Sequence, residues 1–342
     1  MTTRIAIVGV GRWGGHFVRN FCQHPHSEVI AIVDKRRDHL IACQKKLNLS
    51  ENPVLLLSDW QEIHQLERID AVVIATPATT HYDLIKDALN HGYHVLAEKP
   101  LTLNAEQCRE LTQLAQQQRC QLFVDHTYLF HPAVQRGRQT LASGGLGEFR
   151  YGYASRTHLG PVRQDVDALW DLAIHDIAIL NYWLGESPAQ VQARGNVWLQ
   201  PNRGDGKGLA DLIWATLKYA SGFEAQLHFC WNNPDKQRRL CLVGQKGTLI
   251  FDEMLKDKAL SVQWGQFHRQ GEQFIPSAPS TEEISFEAVE PLGAVCDSFL
   301  STIESGQPCL AASGETATQL VKVLEGLSLS LETQGEAIPI KY

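Results

Sequence analysis

The chain lacks the marks of a nucleic-acid binder, a membrane protein or a disulfide-built secreted domain. Lys and Arg number 31 against 38 Asp and Glu, giving a formal charge of -7, and no long basic run is present to follow a phosphate backbone. Nucleic acid is therefore not an expected partner. No apolar stretch approaches the ~20 residues that cross a bilayer, so no membrane association is expected either. The eight cysteines have neither CxxC nor zinc-finger spacing, so they read as reduced thiols and no metal site is expected. Met1 to Gly14 reads as a strand and turn rather than a basic region followed by a long apolar stretch, which points to a cytoplasmic protein. Repeats and low-complexity linkers are also missing. At 342 residues and about 150 residues per domain, two domains are expected, each with its own core.

What is present divides the chain near residue 126. From Arg4 to Asp125, β-rich apolar runs alternate with helix-like segments, the pattern of a parallel sheet covered on both faces. Six strands are expected: Ile5 to Gly9, Val29 to Asp34, Val54 to Leu57, Ala71 to Thr76, His94 to Glu98 and Gln121 to Asp125, with a helix between successive pairs. The fold class is thus α/β, a Rossmann doubly wound sheet over residues 1–126. A helix over Pro132 to Ala142 follows. Longer strands then dominate, such as Ala210 to Tyr219, Phe223 to Trp231 and Arg239 to Val243, with hairpin turns at Ala220 to Gly222 and Gly244 to Gly247. Residues 127–342 therefore read as an α+β domain with a large open, mostly antiparallel sheet. One helix, Asp167 to Leu184, interrupts it. Pro276 to Thr281 reads as a loop, helical periodicity returns from Pro291, and Ala337 to Lys341 is a last short strand.

Gly9-Val10-Gly11-Arg12-Trp13-Gly14 joins the first strand to the first helix. Its glycines suit a tight turn, a close backbone approach and helix packing, with free helix N–H groups facing a pyrophosphate. Asp34 ends the next strand 20 positions beyond Gly14, where an acidic side chain meets the ribose hydroxyls and repels a 2'-phosphate. NAD is the expected cofactor. Lys35, Arg36 and Arg37 beside it leave NADP open. Trp13 either covers the cofactor or packs on the first helix.

Glu98-Lys99-Pro100 closes the fifth strand, and open α/β sheets bind ligands at the carboxyl ends of their strands. Taken alone it is also readable as a surface turn. Together with Thr76-Pro77-Ala78-Thr79-Thr80-His81 after the fourth strand, it resembles the Gfo/Idh/MocA family of oxidoreductases, which carry EKP and ATPxxxH at these points. The resemblance spans essentially the whole chain. It implies that Lys99 lies beside a substrate hydroxyl and stabilises an alkoxide there, and that Thr76, Pro77, His81 and Glu98 line the cofactor. Further on, Asp171 and His175 stand four apart and share a helix face. By themselves they are compatible with an ordinary helical pair. The family reads D-x-x-x-H-D at this point, which implies that His175 is the general base and that Asp171 orients it or the substrate. His126, after the sixth strand, is implied to position the nicotinamide and substrate. His131 and His228 read as surface or satisfied core histidines.

A narrower likeness runs from Arg156 through His158-Leu159-Gly160 and Arg163 to Trp170-Asp171-Leu172, and again from Trp231 through Arg238 to Gly244 and Phe251-Asp252. These runs resemble the nucleotide-sugar 3-dehydrogenase branch, which oxidises a UDP-linked sugar at a ring carbon. The chain departs from it at His158 and Ile174, where the branch usually has Asn and Pro. Arg156 and Arg163 read either as bidentate contacts for a carboxylate or diphosphate or as sheet-surface salt bridges. The resemblance implies an NAD(P)-dependent dehydrogenase acting on a secondary hydroxyl of a sugar or nucleotide sugar, in a homodimer or homotetramer. An inositol or free-sugar dehydrogenase or reductase, and a non-catalytic NAD-sensing protein, are the alternatives. The cofactor reading has a direct check. Titration calorimetry is expected to give a lower Kd for NAD than for NADP, and tighter NADP binding would refute the assignment to Asp34.

Overall fold

The structure, a computed structural model, describes residues 2–49, 54–201 and 208–342. It divides into two compact units, Met1–Thr127 with Glu290–Val321, and Tyr128–Val289 with Lys322–Tyr342.

In the first unit, strands β1 (Thr3–Val8), β2 (Ser27–Val33), β3 (Leu55–Leu57), β4 (Ala71–Ile74), β5 (His94–Glu98) and β6 (Leu122–Asp125) form one sheet in the order β3-β2-β1-β4-β5-β6. Every neighbouring pair is parallel. The reason is written in the strands: Ile5, Ala6, Ile7, Val72, Val73 and Leu96 are wholly buried, and continuous apolar runs suit a sheet covered on both faces. The covering helices are α1 (Arg12–Gln23), α2 (Arg37–Lys46), α3 (His81–Asn90) and α4 (Ala105–Gln118). One expected helix is absent: between β3 and β4 the chain makes only a 3-10 segment, Trp60–Gln65, started by an Asp59/Glu62 capping box. β1, β2 and β4 also stop one or two residues early, which leaves Gly9, Asp34 and Thr76 in the loops beyond the carboxyl edge.

Residues 290–321 pack with this first unit, although they lie within the stretch expected to form the second domain. Helix α7 (Pro291–Ser305) buries Leu292, Val295, Cys296 and Phe299, and the Phe299 ring meets Phe21 and Phe123 edge-on at 6.4 and 5.7 Å. The apolar face of α7 is thus matched by aromatic side chains of α1 and β6. The unit boundary falls inside α8 (Gly314–Glu332).

In the second unit, α5 (Pro132–Ala142) starts with Pro at its first turn, and the His131 side chain caps it by accepting from the Ala133 N–H at 3.1 Å. The sheet contains β7 (Phe149–Leu159), β8 (Pro188–Asn196), β9 (Leu212–Tyr219), β10 (Glu224–Cys230), β11 (Asn232–Gly244), β12 (Gly247–Asp252), β13 (Leu260–Trp264), β16 (Ser280–Glu283) and β17 (Ile338–Pro339). Its order is β16-β13-β12-β11-β7-β10-β9-β8-β17. Only β7 and β10 run parallel. The expected Pro276 to Thr281 loop is loop only at 277–279, with strands on both sides: β14 (Phe267–Gln270) pairs with β15 (Gln273–Pro276), and Ser280 opens β16 on β13. Pro276 is tolerated because it ends a two-stranded ribbon. The expected helix from Asp167 is a π-helical turn, Leu169–Ala173, that runs into α6 (Ile174–Leu184).

Truncating Phe299 to Ala is expected to destabilise the first unit by about 3 to 5 kcal/mol, because the cavity opens between three packed aromatic rings. Urea unfolding followed by circular dichroism measures this. A loss below about 1 kcal/mol would contradict the packing role assigned to α7.

Candidate active site

The glycine-rich turn is built for close backbone approach. Gly9 has φ +85°, and a Cβ there would lie 2.7 Å from the Ala75 carbonyl oxygen; at Gly14 a Cβ would collide with the Gly9 carbonyl oxygen. Gly11 faces open space. It is the N-cap of α1, with no side chain bonded to the helix's first N–H groups, and such a terminus suits an anion. The turn therefore fits a dinucleotide pyrophosphate. Asp34 lies just past β2 with a side chain only 12% exposed. Its Oδ2 accepts from the Val10 N–H at 3.0 Å and stands 3.1 Å from His39 Nδ1, while Oδ1 accepts from the Arg36 N–H at 2.9 Å. His39 carried no signal in the sequence reading. Arg12 and Trp13, the first residues of α1, are exposed at the turn.

The loops after β4 and β5 are tied together. One ring nitrogen of His81 is 2.9 Å from the Thr76 carbonyl oxygen and the other is 2.9 Å from that of Pro100. With 1% of its surface exposed, His81 pins the two loops to each other. Thr80 braces the β4 loop on itself, its hydroxyl lying 2.8 Å from both the Thr76 hydroxyl and the Pro77 carbonyl oxygen. Glu98 is buried and its Oε2 accepts from the Lys99 N–H at 3.0 Å. Lys99, half-buried, precedes a cis peptide bond to Pro100.

Beside it, at the end of β6, burial pushes the Asp125 carboxyl up to about 6, against the Thr127 hydroxyl that donates to it at 2.7 Å and against the Lys99 charge. His126 is pushed the other way. Burial, and then the Lys99 charge, bring its imidazole down to about 4, so it is neutral at pH 7. Its Nε2 is buried with no hydrogen-bond partner among the described residues. A buried polar atom in that state suits a ligand's hydrogen-bonding group.

In the second unit the π-helical turn carries Asp171 and leads directly to His175. Asp167 supports the turn by accepting from the Trp170 N–H at 3.1 Å, and burial pushes its carboxyl up to about 6. Arg163 forks onto Asp165 at 2.9 and 2.6 Å and reaches Asp171 Oδ1 at 3.3 Å. The Arg163 guanidinium is thus committed to carboxylates, and one of them is Asp171. Arg156, 2% exposed, forks onto Asp176 at 2.8 and 3.1 Å and donates to the Tyr128 hydroxyl at 2.8 Å. It is a buried ion pair, neither the open anion contact nor the sheet-surface salt bridge that the sequence suggested. The His175 ring packs 4.7 Å from the Tyr128 ring. Sequence reasoning missed Tyr128, Glu253 and Arg238; Asp176 stood in view as the last residue of D-x-x-x-H-D.

Two family descriptions cover most of the chain: the oxidoreductase family with an NAD-binding Rossmann fold over residues 3–126, and the GFO/IDH/MocA C-terminal domain over residues 134–250. The chain belongs to the Gfo/Idh/MocA family. As a member of that family it is an oxidoreductase, and its first unit is the family's NAD-binding Rossmann fold. This member is 26% identical over 310 residues to UDP-N-acetylglucosamine 3-dehydrogenase from Acidithiobacillus ferrooxidans, covering 89% of this chain and 90% of that protein. It is 27% identical to inositol 2-dehydrogenase from Rhizobium meliloti over 230 residues, 66% of this chain and 68% of that one. The solved structure of the Acidithiobacillus ferrooxidans 3-dehydrogenase superposes with a TM-score of 0.81 at 22% identity, over 98% of this chain and 99% of that one, and so shares the fold.

Two predictions follow from this geometry. Gly14→Ala forces a Cβ against the Gly9 backbone, so calorimetry is expected to show NAD binding weakened on the order of 100-fold; unchanged affinity would remove the turn from the cofactor site. For His126 the folded-state pKa lies below the unfolded value near 6.5, so the unfolded chain takes up a proton first. Stability from this group is therefore present above pH ~6.5 and is lost as pH falls toward 4. In His126→Asn, the stability lost between pH 7 and 4.5 is expected to be smaller than in the wild type by about 2.5 kcal/mol, read from urea midpoints. Equal losses would show that the ring is not buried neutral.

Proposed function

We propose that this oxidoreductase is an NAD(P)-dependent dehydrogenase that oxidises a secondary hydroxyl of a sugar or nucleotide sugar. One observation carries the reading. Lys99 stands at the carboxyl end of β5 beside the neutral, buried His126, at the edge where such sheets meet their ligands. Relatives that act on UDP-N-acetylglucosamine and on inositol support the substrate class. NAD, when bound, supplies the hydride acceptor. Lys99 would hold the substrate oxygen as negative charge develops on it, a stabilisation of the oxyanion type. His175 would take the hydroxyl proton, a general-base role typically worth about 10² to 10⁴ in rate. Asp171, carried by Arg163, would orient that base or the substrate. Asp34, Gly9, Gly11, Gly14, Arg12 and Trp13 would bind the dinucleotide, with Thr76, Pro77 and Glu98 shaping the neighbouring loops.

A homodimer or homotetramer belongs to the same proposal. Tyr151, Tyr153 and Trp214 are exposed on one face of the large sheet, and exposed aromatic patches of this kind suit protein contacts. A cytoplasmic setting is proposed from the eight cysteines, all unpaired. No helix among the described residues is long and apolar enough to cross a membrane.

Lys99→Met is the deciding variant. NAD binding by calorimetry is expected to stay within about threefold of wild type, while NADH formation with a panel of UDP-sugars, inositols and monosaccharides disappears. Wild-type turnover in Lys99→Met would sink the role assignment. A thermal shift with inositols but none with UDP-sugars would move the substrate to the cyclic polyols.

A further inference from the structure

The Tyr128 ring meets both a guanidinium and an imidazole. The Arg156 guanidinium carbon is 4.6 Å from its centroid, and the His175 imidazole is 4.7 Å from it at an interplanar angle of 52°. The Tyr128 hydroxyl is fully used: it donates to Glu253 Oε2 at 2.6 Å and accepts from Arg156 Nη1 at 2.8 Å and Arg238 Nη1 at 3.0 Å. A phenol offers one donor and two acceptor sites, so no hydrogen-bonding capacity is left for a substrate. Burial raises its pKa further, which also removes it as a proton carrier at neutral pH.

The partners are themselves fixed. Arg238 donates to Glu253 at 2.9 Å, and Arg156 forks onto Asp176, the residue that follows His175 on α6. Two guanidinium groups face two carboxylates, so the cluster is balanced in charge, the condition under which buried ions are tolerated. Its members come from β7, β11, α6, the 3-10 segment Glu253–Lys258 and the turn before α5.

We propose that Tyr128 is a positioning residue for His175: its ring, anchored by Arg156, Arg238 and Glu253, holds the imidazole in the orientation from which it takes a proton. The catalytic consequence rests on His175 being the general base, but the contact does not.

The test therefore has two arms. Histidine-labelled protein gives the His175 ring resonances, assigned by their absence in His175→Gln. Tyr128→Leu, which removes the aromatic ring, is expected to shift them, and Tyr128→Phe, which keeps the ring but frees its anchor, is expected to broaden them. In turnover on the UDP-sugar and polyol panel, Tyr128→Leu is expected to lower kcat at least ~10-fold with KM for NAD unchanged, since small misplacements of a catalytic group are costly. Tyr128→Phe should lie between Tyr128→Leu and wild type. Unmoved resonances in Tyr128→Leu overturn the contact, and kcat within about twofold of wild type overturns the positioning role. If Tyr128→Leu fails to fold by circular dichroism, Tyr128→Phe decides alone: wild-type spectra and kcat together reject the proposal. His175→Ala separately tests the base: retained turnover there ends the general-base reading and the positioning role with it, whatever the resonance arm says of the contact.

Discussion

The ligand edge of the first unit depends on one constraint, the approach of the Gly14 backbone to the carbonyl of Gly9. Because Gly14 has no Cβ, α1 begins directly against the end of β1, with no side-chain cap at Gly11. The Val10 N–H is thereby presented to Asp34, which couples the turn to the end of β2. A side chain at Gly14 would push the helix start away and break that link as well. The loops after β4 and β5 are held by a different device, the His81 ring between the carbonyls of Thr76 and Pro100. Two short-range constraints thus shape the carboxyl edge on which Lys99 and His126 stand.

The second unit solves its positioning problem with charge. Arg156 and Asp176 are both almost wholly buried, and breaking one member of such a pair typically costs about 3 to 5 kcal/mol because the other is left unpaired. That makes the pair rigid as well as demanding. Since Asp176 adjoins His175 in the chain and Arg156 lies against the Tyr128 ring that His175 also meets, the rigidity is delivered beside that histidine. Arg163 does the same for Asp171 at the surface end of the π-helical turn, where partial exposure makes the pairing weaker.

Local patterns in the chain were legible, and long-range partnerships were not. The apolar runs at Ile5, Ala71 and His94 predict a parallel sheet because burial on both faces leaves its mark on consecutive residues. The bounds of α5 read correctly for a similar reason: Pro132 marks its start in the chain itself. The resemblance could be read at Lys99 and His175 because the motifs around them are contiguous in the chain. Arg156 was misread because its partner lies 20 residues away on a different element. The tie that His81 makes between two loops was hidden because one of its two carbonyl partners is 19 positions off. The return of residues 290–321 to the first unit rests on Phe299 meeting Phe21 and Phe123, contacts that no periodicity announces. The extra strands around Pro276 were hidden because a proline at a strand end looks the same as a proline in a loop.

The choice between NAD and NADP is sharpened by where Asp34 and its neighbours point. A carboxylate has about four acceptor positions, and two backbone N–H groups and the His39 ring already occupy the vicinity of this one. It is held in place before any ribose arrives, so its negative charge has little freedom to swing aside for a 2'-phosphate. Arg36, the cation that the sequence offered for such a phosphate, directs its guanidinium at His39 Nδ1 instead, at 3.0 and 3.3 Å. Recruiting it would require breaking that contact while leaving Asp34 to repel the phosphate at close range. Basic residues next to an acidic strand end are therefore not all free for a phosphate; here Arg36 faces His39 and gives its own N–H to the carboxylate beside it.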